Sequence, residues 1–117
     1  MLEECAVDAM PFEISPLEAK QKWDAGEAVL IDVREIGEHQ IASIDGAELI
    51  PMGTVPQRLA HLEELADEKL VVVFCHHGVR SLNVVSWLRQ QGVAGCISMA
   101  GGIDLWAAVV DGAVQRY

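Results

Sequence analysis

Apolar residues along this chain fall into short unbroken runs, separated by stretches in which they recur every three or four positions. The runs are FEI (12–14), AVLIDV (28–33), AELI (47–50), LVVVF (70–74) and CISM (96–99). A continuous apolar run of this length fits a strand covered on both faces rather than one with a wet side. Between the runs the period changes to that of a helix. Ser15-Pro16-Leu17-Glu18 reads as a helix start, with serine as N-cap, proline at the first helical position and glutamate reaching back, and the helix should stop near Gly26. Thr54 to Gln57 repeats the capping spacing, and Val55, Leu59, Leu62 and Ala66 then share one helical face. Val79, Leu82, Val85 and Leu88 mark another face, ended by Gly92, and Gly101-Gly102 turns the chain into a last helix carrying Ile103, Leu105, Trp106 and Val109. Strand and helix in alternation predict an α/β domain with a mainly parallel sheet. Ligands of such sheets sit at the carboxyl ends of the strands, where this pattern places Cys75 and Asp32.

Composition narrows the class. With 117 residues, 51% of them hydrophobic, the chain suits one domain with one core. We expect a flexible arm at 1–11 and a single domain over 12–117. The run 70–74 is far too short to cross a bilayer, and the opening MLEECAVDAM is acidic where a signal peptide would be basic, so the expected location is cytoplasmic. A formal charge of -10 argues against nucleic acid and anionic membranes as partners. An anionic substrate would need a local positive field. The three cysteines, Cys5, Cys75 and Cys96, form no C-x-x-C pair, so neither a zinc ribbon nor a dithiol redox pair is indicated.

Cys75 stands where the most apolar strand ends, followed by His76-His77-Gly78-Val79 and Arg80. A buried cysteine is most often an apolar filler. Here the next helix begins near Val79 or Arg80, where its first amides lack partners within the helix and its dipole is positive. A tight loop through Gly78 can turn further amides inward as an anion-binding nest. Such a position favours the thiolate, the nucleophilic form of cysteine, and Arg80 adds a planar charged fork at the rim. A filler reading leaves the loop and the arginine unexplained.

Cys75-His-His-Gly-Val-Arg80-Ser81, with LIDVRE upstream and MAGGIDLW downstream, resembles the single-domain rhodanese-like sulfurtransferases over roughly residues 12 to 110. The resemblance implies a three-layer sandwich with a mainly parallel five-stranded sheet flanked by helices. It implies that Cys75 attacks the outer sulfur of a small anionic donor such as thiosulfate, carries a persulfide, and passes sulfur to a thiol or to cyanide, in a two-step covalent scheme. His76, His77, Gly78, Val79, Arg80 and Ser81 would form the substrate-binding loop. Asp32 would support the loop through hydrogen bonds, and Arg34 would pair with a carboxylate, Glu38 being the candidate. No cofactor or metal is called for. A cysteine desulfurase or a thioredoxin is a possible protein partner, and a sulfur-carrier or interaction module charged by a partner is the alternative to an enzyme. The chain has Ala42-Ser43-Ile44 where the family often has Gly-His-Ile, a change in the supporting shell.

Cysteine-dependent phosphatases also hold a thiolate in an amide nest before an arginine, but with five intervening residues. Four stand here. Adjacent histidines on a tight loop rarely converge on one metal, so His76 and His77 are read as rim residues, and His39 and His61 as solvent-facing helix residues. Cys96 reads as filler in an apolar strand, Trp106 as core, and Gln115-Arg116-Tyr117 as a tail either docked or frayed.

Overall fold

A computed structural model describes residues 11–117; the expected arm at 1–11, apart from Pro11, and Cys5 lie outside the described residues. Five strands form one sheet in the order β1-β5-β4-β2-β3: β1 Glu13–Ile14, β2 Ala28–Asp32, β3 Glu48–Leu49, β4 Leu70–Phe74 and β5 Cys96–Met99. All four pairings are parallel, with β4 central and in register with β2 from Ala28 opposite Leu70 to Asp32 opposite Phe74. Val33 extends β2, its amide donating to the Phe74 carbonyl at 3.0 Å.

The helices are α1 (Pro16–Asp24), α2 (Ile36–Ile41), α3 (Leu59–Glu68), α4 (Val79–Gln90) and α5 (Gly102–Val109). Alternation along β4 sorts the core into two halves. Val71, Val73 and Cys75 face a cluster with Leu62, Val85 and Leu88 of α3 and α4. Val72 and Phe74 face Ala19, Ile103 and Trp106 of α1 and α5. A sheet covered on both sides is the layered arrangement the unbroken apolar runs predict.

Ser15 caps α1 as expected, its hydroxyl accepting from the Glu18 amide at 3.2 Å. Thr54 does not cap. Its hydroxyl donates to the Pro51 carbonyl at 2.8 Å, and Met52–Arg58 forms a 3-10 helix before α3 starts at Leu59. His39 and His61 are not simply solvent-facing: both are partly buried, with His39 Nδ1 at 3.2 Å from Asp32 and His61 Nε2 at 2.8 Å from Glu48.

Two features of the fold place the site. Gly102, with φ of 60°, packs so tightly beneath the β4–α4 loop that a Cβ there would collide with the carbonyl oxygens of Cys75 and His76. Those carbonyls accept from the first amides of α5, Ile103 N at 2.8 Å and Asp104 N at 3.1 Å. Arg34, fully buried after β2, meets the equally buried Asp32 through Nε at 2.9 Å and Nη2 at 2.7 Å, and donates to the Ala42 carbonyl beyond α2 at 2.6 Å.

Gly102→Ala should therefore destabilise the domain by about 2–5 kcal/mol, from overpacking against backbone plus the left-handed conformation, measured by urea unfolding. Arg34→Met should cost about 3–5 kcal/mol, because it leaves the Asp32 carboxylate buried and unpaired. The double variant with Asp32→Asn should be less destabilised than Arg34→Met alone if that unpaired charge is the main cost.

Candidate functional site

Cys75 lies at the carboxyl end of β4 with only 1% of its surface exposed, so exposure alone would class it as core. Its polar surroundings say otherwise. The Gly78 amide donates to Sγ at 3.1 Å and the Ser81 amide at 3.3 Å, and the Ser81 hydroxyl lies 3.4 Å away. Gly78 makes this possible: as N-cap of α4 it takes φ of 106°, a conformation that side chains disfavour, and so aims its own amide back at the sulfur. Ser81, in the first turn of α4, contributes an amide that has no acceptor earlier in the helix. The sulfur therefore sits over a helix N-terminus, where the dipole favours negative charge.

Ser81 Oγ also lies 3.3 Å from the Gly78 carbonyl and 2.8 Å from Ser98 Oγ on β5. Its proton can go to the carbonyl while Cys75 is a thiol and to the sulfur once Cys75 is an anion, with Ser98 supplying a donor to the serine oxygen in either case. Asp32, Arg34, Ser81 and Ser98 are the buried polar and charged side chains among the described residues, and all four belong to the site or to its support.

Arg80 differs from its expected role. Both arms of its guanidinium bind Glu38, Nη1 to Oε2 at 2.8 Å and Nη2 to Oε1 at 2.9 Å. Glu38 is thus the partner of Arg80. Arg34 reaches only its main-chain carbonyl, at 3.3 Å, because Asp32, two residues away and fully buried, offers the stronger fork. The Arg80 bonds hold the Glu38 carboxyl down at about 2, against the effect of burial, with help from the Glu35 amide at 3.1 Å and the Tyr117 hydroxyl at 3.1 Å. The same pairing raises the Arg80 pKa above its ordinary value, with a smaller contribution from Cys75. Burial alone would lower the Arg34 pKa, but the bonds to Asp32 and Tyr117 carry it above the ordinary value.

The hydrogen bonds of the Asp32 carboxylate go to Arg34 and His39 and not to the loop. It accepts from the Arg34 amide at 3.0 Å and side chain, and lies near His39. Support passes from Asp32 through Arg34 to the ends of α2, and from Glu38 of α2 to Arg80 of α4. Ala42, in the segment that departs from the family pattern, keeps a part in this chain through its carbonyl alone, for which its side chain is immaterial.

The rim is aromatic. His76 lies between His77, centroids 3.8 Å apart, and Tyr117, 3.9 Å apart and nearly parallel. Tyr117 is docked, its hydroxyl accepting from Arg34 Nη1 at 2.8 Å, and Arg116 forks onto Asp104 at 3.0 and 3.1 Å. Val79 is 70% exposed, next to the loop. His76, His77 and Asp104 offer donor atoms within 4.8 Å of one another. The two imidazoles are stacked on each other, and Arg116 already holds the carboxylate. Ser98, Asp104 and Tyr117 were missed by the sequence reasoning. A lone serine in the apolar strand CISM was the one signal available; nothing local distinguishes Asp104 or Tyr117. Cys96 is buried as filler, its thiol 3.2 Å from the Val93 carbonyl and pushed up by burial.

Comparison with known proteins identifies the family and the fold. The sequence model of the rhodanese-like domain matches residues 15–109. The thiosulfate sulfurtransferase GlpE of Haemophilus influenzae is 37% identical over 99 residues, 83% of this chain and 90% of that protein. The putative sulfur carrier protein YrkF of Bacillus subtilis is 38% identical over 95 residues, 80% of this chain and 50% of that protein. Among solved structures, the human single-domain sulfurtransferase TSTD1 superposes with a TM-score of 0.72 at 28% identity, covering 84% of this chain and 96% of that one. The chain spans only about a quarter to a third of several other curated relatives, 27%, 31% and 23% of three of them. A β4–α4 loop folded over a cysteine, a five-stranded parallel sheet and near full-length relatives together show that the chain belongs to the rhodanese-like sulfurtransferase family.

Proposed function

We propose that the protein is a sulfurtransferase that carries sulfane sulfur on Cys75. The observation that supports this best is the convergence of the Gly78 and Ser81 amides on Sγ at 3.1 and 3.3 Å. In the first half-reaction the Cys75 thiolate attacks the outer sulfur of a donor, thiosulfate or a persulfide. The bond between the two donor sulfurs breaks, its electron pair leaves with the remainder of the donor, and a new sulfur–sulfur bond forms on Cys75. In the second half-reaction an acceptor thiolate, or cyanide, attacks the terminal sulfur and the Cys75 thiolate departs. No external oxidant or reductant is consumed.

Main-chain amides suit this task because the negative charge moves but does not disappear. It sits on Sγ before attack and on the adjacent sulfur afterwards, and donors fixed by the fold need little reorganisation between the two. The Ser81 hydroxyl can follow it. A reducing compartment such as the cytoplasm would keep Cys75 available as a thiol.

A second reading, a sulfur carrier charged by a protein partner, draws support from the low exposure of Cys75 and from the occupied fork of Arg80. A relative named as a putative sulfur carrier protein, YrkF, also supports this reading.

Incubation with thiosulfate or a low-molecular-weight persulfide should add the mass of one sulfur atom at Cys75, released again by cyanide or a thiol. Cys75→Ser should abolish the gain while leaving the unfolding transition in place, and transfer surviving that change would refute the mechanism. Charging by a protein persulfide alone, with neither small donor active, would favour the carrier. Ser81→Ala removes one hydrogen bond to the charged sulfur and should lower kcat about 10- to 100-fold with little change in KM, measured by steady-state transfer.

A further inference from the structure

Arg80 is the rim cation that the loop offers to an anionic donor, yet both of its forward-facing nitrogens are taken by Glu38. The carboxylate is not casually placed. Arg80 gives it two bonds, the Glu35 amide a third and the Tyr117 hydroxyl a fourth. The Tyr117 ring is itself stacked on His76 of the active loop. Two further guanidinium groups near the loop are matched as well, the buried Arg34 by Asp32 and the exposed Arg116 by Asp104. The local positive field that a dianion requires is thus cancelled group by group, in a chain already carrying -10. The main-chain amides that hold the sulfur are untouched by this cancellation, since they bear no net charge.

We propose that Glu38 is a specificity-determining residue that screens Arg80 from doubly charged donors, so that the site takes its sulfur from small organic persulfides in preference to thiosulfate. This rests on the sulfurtransferase reading of Cys75 and names its donor class. The Cys75 thiolate attacks the outer sulfur of R–S–SH, the donor's sulfur–sulfur bond breaks, and R–S⁻ leaves with the electron pair and takes up the proton. An organic persulfide carries its oxyanions, where it has any, away from the reacting sulfur, so it needs no cation at the rim. Thiosulfate places three anionic oxygens next to that sulfur, its two negative charges shared among them and the outer sulfur itself, and would have to displace a carboxylate held by four donors or lie beside it. Tyr117 acts through Glu38, as a positioning residue that keeps the carboxylate against Arg80.

Two measurements test this. Thiosulfate is titrated calorimetrically into Cys75→Ser protein, in which no transfer occurs, and into the same protein with Glu38→Gln. The neutral isostere should tighten thiosulfate binding at least tenfold, and an unchanged affinity overturns the proposal whether or not the protein turns over. In steady-state transfer, wild-type protein should have a higher kcat/KM for cysteine persulfide than for thiosulfate. Glu38→Gln should shift that ratio at least tenfold toward thiosulfate, chiefly through the thiosulfate KM; a wild-type preference for thiosulfate, or an unmoved ratio, overturns the proposal. Tyr117→Phe keeps the stacked ring and removes one donor from Glu38. It should move thiosulfate affinity in the same direction by two- to fivefold, and it decides the matter if Glu38→Gln does not fold. Failure of every donor to place sulfur on Cys75 would instead refute the sulfurtransferase reading, with the titration still reporting on Glu38.

Discussion

The site depends on how the main chain of one loop divides its hydrogen bonds. The carbonyls of Cys75 and His76 go to the first amides of α5, and the amides of Gly78 and Ser81 go to the sulfur. The division is geometric. Carbonyls pulled toward one helix force the following peptide groups to face the other way, and a left-handed Gly78 completes the reversal. Gly102 sets the distance, since the loop can approach α5 this closely only where no Cβ intervenes. Two glycines, one in the loop and one behind it, thus let the amides converge on the cysteine.

Support from the other side is ionic and runs through the small helix α2. Asp32 and Arg34 are both fully buried, which is favourable only when every charged group is closely paired. Arg34 meets that condition by spanning Asp32, the Glu38 and Ala42 carbonyls and the Tyr117 hydroxyl. α2 is only six residues long and buries no residue fully, so it is held by these bonds and by its Glu35–Glu38 capping box rather than by packing. The position of Glu38, and through it that of Arg80, is therefore inherited from a charge pair at the end of β2.

The apolar runs made the strands legible because burial on both faces leaves a composition signal that needs no partner to interpret. The loop was legible for a related reason: Cys75, Gly78 and Ser81 act through backbone geometry that is local in sequence. Pairings between distant charged groups were not. The resemblance pairs Arg34 with Glu38 and assigns Arg80 to the donor, whereas Arg34 takes Asp32 and Arg80 takes Glu38, 42 residues away, a choice that turns on burial and chain direction, which are tertiary. Tyr117 is 79 residues from Glu38 and 83 from Arg34, and no periodicity connects them. Thr54 shows the opposite failure, a local capping pattern overridden when its hydroxyl found the Pro51 carbonyl.

Separating these two sources of field has a chemical consequence. Peptide dipoles stabilise charge on an atom they surround and fall off steeply, whereas a guanidinium attracts anions from a distance set by the Debye length, about 10 Å at moderate salt. Here the dipoles are aimed at Sγ, and the guanidinium is neutralised by a carboxylate bound to it in a two-point fork. On the proposed reading, reactivity at the sulfur and attraction of the donor would be governed by different residues. A change at Glu38 would then alter which anions arrive without moving the amides aimed at Sγ, while a change at Gly78 or Gly102 would disturb the surroundings of the sulfur whatever the donor. For a chain of strongly negative charge, that reading would place the cost of the global repulsion on donor selection and leave the chemistry of the sulfur to uncharged main-chain groups.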